Sequence, residues 1–190
     1  MVTIDLITGF LGSGKTTFLK KYAEYLMDQG LHIGILENDF GAINVDMLML
    51  HELRGDQCEL EMIAGGCDAE SHRRRFRTKL ISMRMCGYDR VLVEPSGIYD
   101  VDEFFDVLRE EPLDQWYEIG NVIAILDARL ENNLSQQADY LLASEAANAG
   151  KVILSHADAA TREQCEDTVA HLNRALEQLS LIHISEPTRR

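Results

Sequence analysis

Gly9, Gly12, Gly14, Lys15 and Thr16 stand in the stretch Gly9-Phe10-Leu11-Gly12-Ser13-Gly14-Lys15-Thr16-Thr17, which fits the pattern G-x-x-x-x-G-K-[ST]. Glycines at those places let successive backbone N–H groups turn inward on phosphate oxygens, at the positive end of a following helix. In such a loop Lys15 reaches the β- and γ-phosphates and the Thr16 hydroxyl ligates magnesium, with Ser13 and Thr17 beside them. The competing reading is a glycine-rich turn with an incidental lysine. The flanks argue against it, because an apolar run over residues 3–7 precedes the loop and a helical step of Phe18, Tyr22 and Leu26 follows it. The chemistry expected is nucleoside triphosphate binding.

A second acidic element fits beside this loop. Arg90-Val91-Leu92-Val93-Glu94-Pro95-Ser96-Gly97 is an apolar strand that ends in a carboxylate, with a glycine three residues on. Glu94 can hold magnesium directly or through water, and the Gly97 N–H can sense the γ-phosphate. Glu37-Asn38-Asp39-Phe40-Gly41 follows another apolar run in the same way, with Asp46 beyond it. Asp39 and Asp46 are candidates for ordering magnesium or the attacking water; the alternative is an acidic loop rim.

The elements that must position these residues are legible in outline. Apolar, strand-like runs recur over residues 3–7, 33–37, 90–94, 121–127 and 151–155, several of them near-continuous, as strands covered on both faces are. Helical patterns lie between, from Lys15 to a C-capping Gly30 and over residues 101–109, 135–149 and 161–179. This alternation predicts one α/β domain with a mostly parallel sheet and helices on both faces. After Leu179 the pattern breaks into alternating apolar residues and a basic end. Residues 179–190 resemble a translated sequencing adapter on a truncated reading frame, and are expected to be non-native or disordered.

Composition removes whole classes of function. The 190 residues carry a formal net charge of −14, which leaves no basic face for nucleic acid. No apolar run approaches the ~18 residues that would cross a bilayer, and the first residues lack the features of a signal peptide. The four cysteines therefore read as core thiols or metal ligands in a reducing cytoplasm. One local exception is the basic cluster His72-Arg73-Arg74-Arg75-Phe76-Arg77-Thr78-Lys79, whose i,i+4 pairs are like-charged. It is either a solvated helix face or a partner for acid, and the carboxylate-rich stretch 94–118 of this chain is one candidate. Phe104, Phe105, Trp116 and Tyr117 read as packing residues rather than a nucleotide stack.

Taken in order, the glycine loop, Glu37-Asn38-Asp39-Phe40-Gly41, Gly65-Gly66-Cys67, Glu94-Pro95-Ser96-Gly97 and Ala124-Ile125-Leu126-Asp127-Ala128 resemble the CobW/HypB/UreG family of P-loop GTPases, and its CobW-like branch in particular. The resemblance spans about residues 1–178. It implies a SIMIBI-type G domain with slow, magnesium-dependent GTP hydrolysis and switch loops that respond to the γ-phosphate. It also implies nucleotide-driven homodimerisation, delivery of a metal cofactor to a client metalloenzyme, and a second, C-terminal domain.

Two departures from the family pattern stand out. That branch carries Gly-Cys-x-Cys-Cys, a thiolate cluster suited to zinc; here the stretch is Gly66-Cys67-Asp68-Ala69-Glu70-Ser71-His72. Cys67, Glu70 and His72, with Asp68 or Cys58, are left as a mixed transition-metal set, against an inert Cys67 beside a solvated helix start. The guanine-reading Asn-Lys-x-Asp becomes Ser155-His156-Ala157-Asp158. Asp158 keeps the acceptor for guanine, Ser155 replaces Asn, and the His156 ring stands where the lysine stem covers the base. GTP is favoured over ATP. The alternatives are a nucleotide-dependent protein-binding switch without metal transfer and an ATP-using P-loop enzyme.

Overall fold

The structure is a computed structural model that describes residues 1–10, 12–39, 45–64, 69–95, 101–130 and 134–185. Its elements run β1 (Val2–Thr8), α1 (Lys15–Asp28), β2 (Ile33–Asp39), α2 (Val45–Leu50), β3 (Cys58–Ala64), α3 (Ala69–Met85) and β4 (Arg90–Glu94). They continue through α4 (Val101–Leu108), α5 (Leu113–Trp116), β5 (Tyr117–Asp127), α6 (Gln136–Ala147), β6 (Lys151–Ser155) and α7 (Arg162–Ser185). The six strands pair in parallel in the order β3-β2-β4-β1-β5-β6. A parallel sheet needs crossovers that cover its faces, and both faces here are covered. On one side Ile7, Ile35 and Leu92 pack under Leu19, Ala23 and Leu26 of α1. On the other, Ile4, Leu6 and Val93 meet Phe76, Leu80 and Phe104 of α3 and α4.

Five strands are expected from the apolar runs, and the structure adds a sixth, β3. Its residues Cys58-Glu59-Leu60-Glu61-Met62-Ile63 alternate in polarity instead of forming an apolar run, with Cys58 and Ile63 buried and Glu59 and Met62 exposed. β5 begins at Tyr117 rather than near Asn121 and pairs with β1 from Val2 onward. α7 runs to Ser185, beyond the pattern break at Leu179, and buries Ala175 and Leu179 against Ala143 of α6.

The basic cluster lies on α3 and divides between two neighbours. Arg73 and Arg77 both bind Glu110, at 2.6 and 3.1 Å, and Arg77 also donates to the Glu111 carbonyl at 2.8 Å. Lys79 binds Glu61 of β3 at 2.8 Å. The like-charged Arg73/Arg77 pair is therefore tolerated because an acid from the 94–118 stretch sits between them. Phe104 and Tyr117 are buried, and Phe105 and Trp116 pack against that same core, as expected. Among the described residues no helix is long and apolar enough to cross a membrane, and Cys58, Cys86 and Cys165 are free thiols.

Candidate functional site: a phosphate loop and a divided cleft

In a parallel sheet the crevice at the carboxyl ends of the strands is where ligands bind, and here the chain turns from β1 into α1 at that end. Gly9 has φ +137°, and a Cβ there would overlap the Ile125 carbonyl of β5, so the loop lies directly on the neighbouring strand. Gly14 caps α1 at φ 88°, with no side-chain cap and no acid in the first turn. The first N–H groups of α1 are thus left for an anion.

Lys15 is buried, and its Nζ donates to the carbonyl oxygens of Gly9 at 2.9 Å and Phe10 at 3.3 Å. The ammonium folds back over its own loop, where it stands ready to exchange carbonyl partners for phosphate oxygens. Thr16 Oγ1 donates to Glu94 Oε1 at 2.9 Å, joining the start of α1 to the end of β4 across 78 residues. Both residues are buried, at 8% and 4% exposure. A hydroxyl and a carboxylate form a set of hard oxygen donors, which suits magnesium rather than a soft metal. Ser13 is buried in the loop, and its hydroxyl has no hydrogen-bond partner among the described residues.

The cleft has two connected parts. One, of about 420 Å³, is bounded by Gly12, Lys15, Thr16, Thr17 and Glu94, with Met49 of α2 on the far side. The other, of about 250 Å³, is bounded by Phe18, Lys21, Ile153, Ser155 and Asp158. Gly14, Thr17 and His156 border both. The loop part offers backbone N–H groups and a cation, and the part toward β6 is lined by Phe18, Ile153 and Asp158, so the cleft suits a ligand with an anionic end and a flat, polar-edged end.

At the base end, Ser155 Oγ donates to the Leu126 carbonyl at 3.3 Å, tying β6 to β5. His156 adopts φ 52°, a left-handed conformation uncommon outside glycine, and its Nδ1 lies 3.0 Å from Asp127 Oδ2. Partial burial pushes the Asp127 carboxyl up, but hydrogen bonds from the Arg129 side chain and N–H, with the charges of Arg129 and His156, hold it below its ordinary range. Asp158 is exposed at the rim.

The candidate metal set is less concentrated. Glu70 is exposed in the first turn of α3, whereas His72 is buried with Nδ1 3.1 Å from Glu103 Oε1 of α4. Residues two apart on a helix point to different sides, so α3 does not bring Glu70 and His72 together. Cys58 starts β3, about 20 Å of strand away from its last residue, Ala64, and burial in the core pushes its thiol up to about 11. Among the described residues no three of His, Cys, Asp and Glu form a metal-binding group. Cys67, Asp68 and Gly97 lie outside the described residues. Asp39 ends β2 and Asp46 lies in the first turn of α2, but the expectations for their side chains also fall outside what is described.

Two carboxylates at the site escape the sequence reading. Glu37 is buried and sits in register with Glu94 on the adjacent strand, so two acids share the top of the sheet. Its signal is an acid at the end of an apolar strand, the same signal that identifies Glu94. Glu145 is buried on α6 beneath Gly9, and its signal is an acid on the same helix face as Leu142 and Ala146.

A parallel sheet with a glycine loop between β1 and α1, and a carboxylate at the tip of β4 facing the loop threonine, defines a P-loop nucleotide-binding protein. The family model described as CobW/HypB/UreG, nucleotide-binding domain, matches residues 3–182, and the chain belongs to that family. It is similar to the zinc chaperone YjiA of Escherichia coli, 28% identical over 96% of this chain and 58% of that protein. It is likewise similar to the zinc chaperone YeiR of the same organism, 28% identical over 86% of this chain and 49% of that protein. The chain thus spans about half the length of these curated relatives. Zn(II)-bound YjiA GTPase shares its fold at a TM-score of 0.51, with 20% identity, over 94% of this chain and 54% of that one. FtsY from Mycoplasma mycoides does so at 0.60, with 14% identity, over 93% and 58%.

Proposed function

We propose that this domain binds GTP with magnesium, hydrolyses it slowly, and uses the cycle to handle a divalent transition metal such as zinc for a client metalloenzyme. The observation that carries the nucleotide half is the buried Thr16–Glu94 hydrogen bond beside Lys15. It sets two hard oxygen ligands and one cation where the β- and γ-phosphates would meet the loop. Thr16 and Glu94 would hold magnesium, which when bound neutralises the charge that develops on the phosphate oxygens. Lys15 draws the γ-phosphate in and balances its charge, while the N–H groups of Gly12, Ser13, Gly14 and Thr17 orient it and Gly9 sets the turn of the loop. Asp39 and Asp46 serve in this reading to order the attacking water, and the Gly97 N–H to report the γ-phosphate. Asp158 accepts from the guanine N1 and N2 donors, and His156 and Ser155 shape the base end.

The names of the relatives support zinc as cargo, with Cys67, Glu70 and His72 as this chain's candidate ligands. Ala69 stands where that branch carries a second cysteine, and His72 is engaged by Glu103. These two facts favour a second reading, a nucleotide-dependent switch that binds a partner protein, or a second copy of itself, without metal transfer. Zinc titration of the GDP-bound and GTP-analogue-bound forms, with phosphate release followed in parallel, separates the two. Magnesium-dependent phosphate release with zinc uptake that differs between the nucleotide states is expected. Hydrolysis without zinc uptake in either state would leave the switch, and no release of phosphate from GTP would end both.

A further inference from the structure

Glu145 is an acid in an apolar place. It is 4% exposed on α6, between Leu142 and Ala146, and faces Gly9 at the start of the phosphate loop. The Lys15 ammonium and the Gly9 N–H both favour its charged form. Oε2 is buried with no hydrogen-bond partner among the described residues. The void beside it measures about 10 Å³, too small for any ligand larger than a single water. Gly9 thus lies between Glu145, which borders the same void, and Lys15, which donates to its carbonyl.

We propose that Glu145 is a positioning residue for nucleotide binding, holding the Gly9 N–H from beneath the phosphate loop and taking up one solvent proton when a triphosphate draws Lys15 away. The proposal rests on the triphosphate reading of the site.

The direction follows from the charges around the group. Burial pushes the carboxyl up to about 7, against the opposing pull of Lys15 and the Gly9 N–H, so both protonation states are populated near neutral pH. Lys15 is the ionic group that bears on it. The remaining wall residues, Ala124, Ile125, Leu126, Val152 and Leu172 from β5, β6 and α7, do not ionise. Other charges on those elements are engaged elsewhere, His171 with Asp139 at 2.7 Å and Asp127 with Arg129 and His156, or are exposed, as Lys151, Glu163, Asp167, Arg174 and Glu177 are.

A bound triphosphate attracts the Lys15 ammonium toward the β- and γ-phosphates and adds negative charge above the loop. Both changes disfavour the Glu145 anion. A group that is more protonated in the bound state weakens binding as pH rises through its free-state range, by at most about tenfold per pH unit. A neutral carboxyl still offers its carbonyl oxygen to Gly9, so the loop keeps its anchor while the charge is discharged.

Calorimetric titration of the folded wild-type chain with a non-hydrolysable GTP analogue and magnesium, in buffers of different ionisation enthalpy, counts the protons taken up. At pH 7.5 wild type should take up more of a proton than Glu145→Gln. Between pH 7 and 8.5 its affinity should fall about three- to tenfold relative to that variant. The nucleotide's own ionisation is common to both proteins and cancels in the comparison. Glu145→Gln keeps an acceptor for Gly9 and should bind well at every pH, whereas Glu145→Leu should bind weakly at every pH. Equal proton counts in wild type and Glu145→Gln would overturn the proton coupling, and equal affinity of the Leu and Gln variants would overturn the anchoring. A wild-type protein that binds no analogue, or binds it as well after Lys15→Ala, would instead overturn the triphosphate reading beneath the proposal.

Discussion

The two ends of the cleft are built differently. At the phosphate end, Lys15, Thr16, Glu94 and Glu37 are buried, and they come from the central strands β4 and β2 or the helix that follows β1. At the base end, Ser155, His156 and Asp158 lie at or beyond the tip of the edge strand β6, and His156 and Asp158 are exposed. Burial makes the first group interdependent. Removing one member leaves the others with unmet charge or hydrogen-bonding capacity in a low dielectric, which costs roughly 1–3 kcal/mol or more. Exposed groups at a sheet edge carry no such penalty, because water replaces a lost partner. Within the cleft, the departure from the family pattern accordingly falls on Ser155 and His156, where change is cheap, while the loop and Glu94 keep it.

By that contrast, the largest effect belongs to the phosphate end. Lys15→Ala removes the cation that the β- and γ-phosphates require and leaves the Gly9 and Phe10 carbonyls without their donor. Loss of a charge-assisted hydrogen bond to a phosphate in a buried site is expected to weaken triphosphate binding by about a hundredfold or more. Fluorescent-nucleotide titration measures this, with a thermal melt to show that the domain stays folded. Unchanged affinity in a folded variant would remove the phosphate end as the dominant site.

Asp158→Asn probes the other end and should cost less. The amide keeps one acceptor but turns an N–H toward the guanine N1 and N2 donors, so one hydrogen bond is lost and two donors face each other. A hydrogen bond to a charged group contributes about 1.5–3 kcal/mol, and exposure at the rim argues for the lower figure, or about tenfold in affinity. GTP should weaken by that factor while ATP is unaffected. ATP and GTP competing equally in the wild type would mean that the base end does not read guanine, and would favour an ATP-using enzyme.

The same contrast explains what is legible in the sequence. The loop can be read because its residues are contiguous and each role is set by local backbone geometry. Glu94 can be read because its strand carries it to the loop whatever the rest of the chain does. Glu145 cannot, since one acid in a helix reads as solvated until α6 is seen packed over Gly9 and against Leu172 of α7. β3 escapes for a related reason: Glu59 and Glu61 interrupt its apolar residues, whereas the other strands announce themselves by apolar runs. The Arg73/Arg77 pair is compatible in sequence with either water or acid, and the choice of Glu110 belongs to the docking of α3 near α4. Proximity in sequence groups His72 with Glu70 and Cys67, but helical periodicity turns it toward Glu103 instead.

The smallest change sharpens the comparison most finely. His156→Lys restores the residue whose stem covers the base in the family pattern, and Asp127, 3.0 Å from the imidazole, can accept the ammonium in its place. A longer apolar stem buries more of the purine face and favours binding, by about 0.5 kcal/mol per methylene at a site this open. The backbone opposes part of that gain. Position 156 has φ 52°, where histidine is among the better-tolerated side chains and lysine is not. The balance is a tightening of both GTP and ATP by about two- to fivefold, with their ratio unchanged, because a stacked cover touches any purine, whereas discrimination is the role proposed for Asp158. A competition assay run on both nucleotides decides the point. A changed GTP-to-ATP ratio would show that His156 itself reads the base, and that the exposed end of the cleft is more specialised than its burial suggests.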